Sequence, residues 1–349
     1  MVVWLDRAPR LFVFVALLGV FAGRSSGEAM PTGTAVRNPA YSGGAGLAHR
    51  RTSSGFIYVA NILTESPNVG NVLVYPVGSN GNVAPATVIG GSNTLLTLVD
   101  GIVTDQNGEI YVVDSDTNMI VGFAPGSAGN VSPNVVIAGP NTGLTAPHSL
   151  AIDALGNLYV SNCGTTCNFG PTGPPSIEEF SAGSNGNVAP IRVIAGSRAG
   201  FGGGIKGITL DPDGDVSVSA WDSNAALTYD LRRSGDVYPK RAIAGSQTQI
   251  SSPNGIAASR YGLYVGNAGA TTITRYDLMA NGNAPPRRVL HVRGVGGIFA
   301  APDDSIYLAG RFTPEIYQYA PLAKGHAAPL TTISGSNTGL VAPSFLYVK

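Results

Sequence analysis

One motif is written along this chain again and again, and an internal repeat of this size restricts the fold to architectures that stack or ring one unit. "GSNGNVAPATVIGGSNT" begins at Gly78, "GSAGNVSPNVVIAGPNT" at Gly126 and "GSNGNVAPIRVIAG" at Gly183. Worn copies, "ANGNAPPRRVL" and "AKGHAAPLTTISGSNT", begin at Ala280 and Ala323. Other features recur in fixed order around each copy. A short apolar strand comes first, as "GIVTD" from Gly101, "SLAID" from Ser149, "GITLD" from Gly207, "GIAAS" from Gly255 and "GIFAA" from Gly297. A tight turn such as "DQNGE", "DALGN" or "DPDGD" follows, where Gly and Asn accept positive φ and Asp bonds its own backbone. The second strand reads "IYVAN" at Ile57, "IYVVD" at Ile110, "LYVSN" at Leu158, "VSVSA" at Val216, "LYVGN" at Leu263 and "IYLAG" at Ile306.

A third strand ends on an aromatic signature in "VLVYP" (Val72 to Pro76), "IVGFAP" (Ile120 to Pro125), "IEEF" (Ile177 to Phe180), "ITRYD" (Ile273 to Asp277) and "IYQYAP" (Ile316 to Pro321). The repeated "GSNGNVAP" is then the turn out of that strand, and the "VIAG" that follows is the fourth. Proline on its approach suits an edge strand, where no ladder hydrogen bond is lost. Four short antiparallel strands, six times over, predict an all-β, six-bladed β-propeller. The first second-strand copy, Phe56 to Asn61, has no first strand before it, while the chain ends "APSFLYVK". Phe345 to Lys349 is therefore expected to complete blade one and protect its edges.

"GIVTDQNGEIYVVDSDTNMIVGF", Gly101 to Phe123, resembles the NHL-repeat propeller family in its order of strand, turn, strand, Asp, Asn and final aromatic, and the resemblance extends over nearly all of the chain beyond residue 55. Met119 departs from it where an arginine is usual. The resemblance implies the propeller and leaves the activity open, because such folds serve as interaction scaffolds, lyases and hydrolases alike.

Composition narrows the setting. Lys plus Arg equals Asp plus Glu at 21 each, so no net field favours nucleic acid. Arg7 and Arg10 precede an apolar stretch, Leu11 to Phe21, about half the ~20 residues that span a bilayer. Residues 1–29 read as an export signal with cleavage after Ala22 or Ala29. Residues 30–54 read as a flexible leader, polar and without apolar periodicity. Residues 55–349 form the propeller. A secreted or periplasmic monomer with no membrane span after cleavage is expected.

Propeller topology brings the starts of the first strands and the ends of the second strands to one mouth. The first set is Asp100, His148, Lys206, Asn254, Gly296 and Ser344, and the second is Asn61, Asp114, Asn162, Ala220, Asn267 and Gly310. The expected ligand-binding residues are Asp100, Asp114, His148, Asn162, Lys206, Trp221, Asn254 and Asn267. By resemblance to lyase propellers His148 is a zinc candidate, but a catalytic zinc needs three protein ligands, and His49 lies in the leader while His291 and His326 lie near blade margins. The other reading makes His148 a hydrogen-bonded mouth residue. Asp100, Asp114 and Asn162 offer oxygens of the kind Ca²⁺ or another divalent ion accepts, and loosely resemble the ligand set of lactonase-type propellers. Against that, Asp and Asn at strand ends cap turns and tether blades. No firm cofactor follows. "DSDTN", "DPDGD" and the glycine run "AGFGGGIKG" fit neither a Ca²⁺ loop nor a phosphate loop.

The longest departure from the repeat, "NCGTTCNFGPTGPPS" from Asn162 to Ser176, carries both cysteines. In an exported chain Cys163 and Cys167 are expected to form a disulfide that shapes a recognition loop beside His148. Three functions stay open: a non-enzymatic propeller that binds a protein, peptide or glycan, a divalent-ion-dependent lyase or hydrolase, and a structural envelope component.

Overall fold

The computed structural model describes residues 55–63, 70–164, 167 and 173–349, so the expected signal and leader lie outside the described residues. Strands are numbered β1 to β24 in chain order. Blade one takes β1 (Phe56–Ile62), β2 (Asn71–Pro76) and β3 (Thr87–Gly90), and blade two takes β4 (Val99–Thr104), β5 (Ile110–Asp114), β6 (Met119–Phe123) and β7 (Val135–Ile137). Blade three is β8 (Pro147–Ile152), β9 (Leu158–Asn162), β10 (Ser176–Phe180) and β11 (Arg192–Ala195). Blade four is β12 (Ile205–Leu210), β13 (Val216–Ala220), β14 (Ala225–Tyr229) and β15 (Arg241–Ala244). Blade five is β16 (Pro253–Ser259), β17 (Gly262–Asn267), β18 (Thr272–Tyr276) and β19 (Arg288–His291). Blade six is β20 (Ile298–Ala300), β21 (Ile306–Ala309), β22 (Glu315–Tyr319) and β23 (Thr331–Ser334).

The last strand, β24 (Ala342–Val348), closes the ring, because the sheet order β24-β1-β2-β3 makes it the innermost strand of blade one. Tyr58 faces Tyr347 and Ile57 faces Val348, and Phe56 N donates to Lys349 O at 2.7 Å. Phe345 to Lys349 does pair with the first strand as the sequence implies. The pairing also runs further, back to Ala342, through a register shift between Ala60 and Asn61.

Six apolar layers lie between successive blades. Val72 and Ile89 of blade one meet Ile102 and Val112 of blade two, and the series continues to Tyr307 and Ile316 of blade six against Val59 and Leu73 of blade one. Each such side chain contributes ~1.5–3 kcal/mol when removed from water. The aromatic residue that ends each third strand belongs to these layers. Tyr75, Phe123, Phe180, Tyr229 and Tyr276 are among the largest fully buried side chains, and three of the tyrosines bond out of the layer to loop carbonyls, Tyr75 to Thr338, Tyr229 to Ala199 and Tyr276 to Thr248.

The recurrent "GSNGNVAP" is more than a turn, because it latches each blade to the one before. Gly81 N donates to Thr332 O of blade six at 2.7 Å, and Gly81 O accepts from Ser334 N at 3.1 Å. The same backbone pair recurs at Gly129, Gly186, Gly235, Gly282 and Gly325. At five of these junctions a side-chain oxygen adds a third bond. Asn82 Oδ1 accepts from Asn337 N, Asn130 from Asn93 N, Asn187 from Asn141 N, Asp236 from Arg198 N and Asn283 from Gln247 N, all at 2.7 to 2.8 Å. The loop that donates can come so close because it turns at a glycine: at Gly91, with φ of +123°, an added Cβ would lie 2.6 Å from the Asn130 carboxamide carbon. At the sixth junction His326 stands in place of the asparagine, and its ring stacks on His291 with centroids 4.4 Å apart.

Two outcomes follow. Deleting Phe345–Lys349 strips blade one of its inner strand and is expected to lower the melting temperature by on the order of 10 °C or abolish the transition, which thermal denaturation followed by circular dichroism will show. Gly91→Ala is expected to cost roughly 1–2 kcal/mol more than Gly78→Ala in urea denaturation. Both glycines have positive φ, but a Cβ at Gly78 meets nothing within 4 Å.

Candidate functional site

At the mouth, β-bulges decide which side chains face the axis. Register shifts fall between Val99 and Ile102, Pro147 and Ser149, Ile205 and Ile208, and Pro253 and Ile256. Asp100, His148, Lys206 and Asn254 are the residues inside those shifts, so each is turned out of the ladder of its own blade. The glycine beside three of them lets neighbouring inner strands approach closely. A Cβ at Gly101 would lie 2.6 Å from Leu150 N, and one at Gly207 would lie 2.6 Å from Asn254 O. The mouth narrows there into a polar plug. Asp100, His148 and Asn254 are each 1% exposed and Ser344 is 0% exposed.

Charge inside the plug is unbalanced. Asp100 accepts from Ser115 Oγ at 2.6 Å and from Ser344 Oγ at 2.5 Å. Burial would raise its pKa, but its coupling to His148 on acidification, the Arg311 charge and the two hydroxyl donors outweigh burial and hold it below the usual carboxylate range. The His148 ring packs edge-on against Phe345 at 5.4 Å between centroids, and neither of its nitrogens has a hydrogen-bond partner. Burial, opposed by Asp100 and assisted by Lys206 and Arg311, drives its pKa down to about 3, so the ring is neutral at pH 7. Lys206 is lowered to about 8, chiefly by burial and then by Arg311, and its ammonium sits 3.5 Å over the Trp221 ring centroid. Asn254 Oδ1 is buried and unpartnered.

The residues closing the second strands serve differently. Asp114 Oδ1 accepts from Thr97 Oγ1, Thr117 N and Thr117 Oγ1, while Oδ2 accepts from Thr97 N. Asn162 accepts from Thr145 N and donates to Gly143 O and Ser176 Oγ. Asn267 accepts from Ser251 N, and Asn61 accepts from Val341 N. These groups tie the connection between blades to the strand end. Asp100, Asp114 and Asn162, the divalent-ion candidates, each have such partners of their own. Among the described residues no group of three or more His, Cys, Asp or Glu side chains is arranged to hold a metal.

Cys163 and Cys167 form the expected disulfide, with Cα atoms 5.8 Å apart. Disulfides of this kind persist in oxidising compartments. Both cysteines are buried against Ala146, two residues before His148, and Cys163 O accepts from Ile205 N of blade four at 3.2 Å. Residues 165, 166 and 168–172 of the insertion lie outside the described residues. No helix among the described residues is long and apolar enough to cross a membrane.

Sequence reasoning missed Arg311, Ser115, Ser161 and Ser219. Ser161 Oγ donates to Lys206 O, and Ser219 Oγ to Asn254 O at 2.7 Å, so hydroxyls of one blade hold the bulge of the next. A signal existed in the repeat register: Arg311, Ser115 and Trp221 each follow the residue that closes a second-strand copy, Gly310, Asp114 and Ala220. A second concavity of about 560 Å³, at the blade five to six junction, is lined by Tyr317, Tyr319, Arg293, His291 and His326. There the connection after β19 is several residues shorter than its counterparts and lacks the glycine turn that opens them at Gly91, Gly139, Gly196, Gly245 and Gly335.

No family model matches this chain, and no curated protein matches it. Solved structures do. A chain of a nidogen/laminin complex is similar at 12% identity and a TM-score of 0.57, over 84% of this chain and 98% of that one. A protein of unknown function from Bacteroides caccae matches with the same identity, score and coverage. A putative 6-phosphogluconolactonase from Bacteroides uniformis matches at 14% identity and 0.53, over 82% and 84%. At these identities the likeness extends to the propeller fold and no further.

The depressed pKa of His148 has a stability consequence. Between its ordinary value of ~6.5 and about 3 the unfolded chain binds a proton that the folded chain does not, so stability falls as the pH drops through that window, by up to ~1.4 kcal/mol per unit. Relative to its value at pH 7, the parent is expected to lose about 2 kcal/mol by pH 5 that a His148→Gln variant retains. Urea denaturation of both proteins at the two pH values checks it, and parallel losses would remove His148 as the cause.

Proposed function

We propose that the chain is an NHL-type propeller that works outside the cytoplasm as a binding module, with the mouth holding an acidic group of a protein, peptide or glycan. One observation carries this reading. Lys206 and Arg311 are half-buried cations at a mouth where Asp100 is the buried carboxylate, Asp222 an exposed one and His148 is neutral, and burial and Arg311 depress the Lys206 pKa against the opposing pull of Asp100 and Asp222. An incoming carboxylate or sulfate would relieve that repulsion in a site already stripped of much of its water. Trp221 offers the flat face beside it. The engagement of Asp114, Asn162 and Asn267 with local backbone supports binding over ion-assisted chemistry, since those oxygens already have partners. The nidogen/laminin neighbour is a propeller-fold chain found in a complex with another protein, which accords with such a role.

An array of acidic and neutral peptides and glycans probed with the mature protein tests the reading. Acidic members should be retained, with affinity falling steeply between 50 and 500 mM salt and above pH 8, where Lys206 loses its proton. Lys206→Ala and Arg311→Ala should each weaken retention about tenfold. Equal retention of neutral members, or opening of a lactone that requires an added divalent ion and is lost with Asp100→Asn, would overturn it.

A further inference from the structure

The axial channel has a second end, on the side opposite the mouth, and it is built from different chemistry. Beyond the polar plug the inner strands line a funnel of about 280 Å³ with Ile102, Leu150, Ile256, Phe299, Ala300 and Tyr347, and Ser149 and Thr209 also border it. That volume is nearly twice the ~150 Å³ of an apolar cavity able to take up benzene, so it suits a short alkyl chain or a ring with a substituent. Ala258 on β16 and Ala300 on β20, where other copies carry Thr104, Ile152, Leu210 and Tyr347, open the space. Phe299 and Tyr347 meet edge to face at 5.1 Å on its wall.

The rim of this end is acidic, because the turns leaving the first strands are built on aspartate. Asp105, Asp153, Asp213 and Asp303 occupy four of those turns, are not buried, and make no ion pair among the described residues. Asp211 and Asp215 of the same turns are neutralised by Arg241 and Lys240. Besides Arg241 and Lys240, the cations at this end are Lys349, bonded to Asp105 O, Arg260, bonded to the Tyr261 hydroxyl, and Arg275, bonded to Tyr261 O. Asp105, Asp153 and Asp303 also accept hydrogen bonds within their own turns, so four carboxylates face three cations around the hole, and Asp105, Asp153, Tyr347 and Lys349 share a smaller hollow that adjoins it.

We propose that this funnel binds an amphiphilic cation, with its alkyl or aryl part inside the channel and an ammonium group at the aspartate rim. Burial of the tail supplies the drive. The rim and the aromatic wall select the positive head over a neutral or negative one. The site is independent of the acidic-ligand reading of the mouth, from which the plug of Asp100, His148, Asn254 and Ser344 separates it.

Isothermal titration of the full chain with n-octylammonium chloride, sodium octanoate and n-octanol, each below its aggregation concentration, tests the proposal. Octylammonium should bind at least tenfold more tightly than octanoate and several-fold more tightly than octanol, and the margin should shrink in high salt. The double variant Asp105→Asn, Asp153→Asn should lose most of the preference for the cation while its octanol affinity holds. Ala300→Trp, or Ala258→Leu should the first fail to fold, should abolish binding of all three while the melting temperature stays near that of the parent. Absence of octylammonium binding, equal affinity for octanoate or octanol, or unchanged binding in a folded channel-filling variant would each overturn it.

Discussion

The pair of backbone hydrogen bonds that each glycine turn makes to the outer strand of the preceding blade is the constraint on which the rest of this molecule depends. A four-stranded blade alone exposes two edges and two apolar faces, and such a sheet is marginal in water. Packing buries the faces, but it is non-directional and tolerates sliding. The bonds at Gly81, Gly129, Gly186, Gly235, Gly282 and Gly325 fix register between blades and hence the angle at which each blade meets the next. Closure by β24 then makes the six angles sum to a ring. With the ring fixed, the inner strands have no freedom over how near they approach, and Gly101, Gly207 and Gly255 are where they touch.

That approach divides the axial channel. On one side of the closest contacts the bulges gather Asp100, His148, Lys206 and Asn254, where desolvation sets the protonation states. On the other side the inner strands return to regular alternation, and the channel is walled by Ile, Ala and aromatic side chains. Opposite polarity at the two ends is a result of geometry. A bulge turns a polar side chain toward the axis, while the regular strand after it offers whatever its apolar repeat contains. At the blade five to six junction, without the glycine turn of the other connections and with a stacked histidine pair in place of an asparagine latch, the ring departs from its own latching rule.

Much of the fold was legible in the sequence. The order of strand, turn, strand and aromatic gave the blade, its recurrence gave the number, and the unpaired "FIYVAN" with the terminal "SFLYV" gave the closure. Strand limits moved by one or two residues at the third strands, as at Met119–Phe123, because the sequence marks aromatic anchors more sharply than ladder ends. The site was legible only in part. Asp100, His148, Lys206 and Asn254 were found as a set because topology alone places the starts of first strands together. Arg311 and the serine bridges at Ser115, Ser161 and Ser219 were missed, since each looks like an unremarkable small or charged residue at a strand end until a neighbouring blade lies against it.

The sequence by itself therefore determined the architecture, because a propeller is a local rule applied six times, and turn chemistry, alternation and repeat length are all local. Only the tertiary structure decided the chemistry. Asp114 and Asp100 are both carboxylates at strand ends, yet one meets its own connecting loop and becomes a tether, while the other falls in a bulge and meets serines of two blades on the axis. Which of those happens depends on one residue of register and a few ångströms of blade spacing, and neither quantity is written in any single repeat.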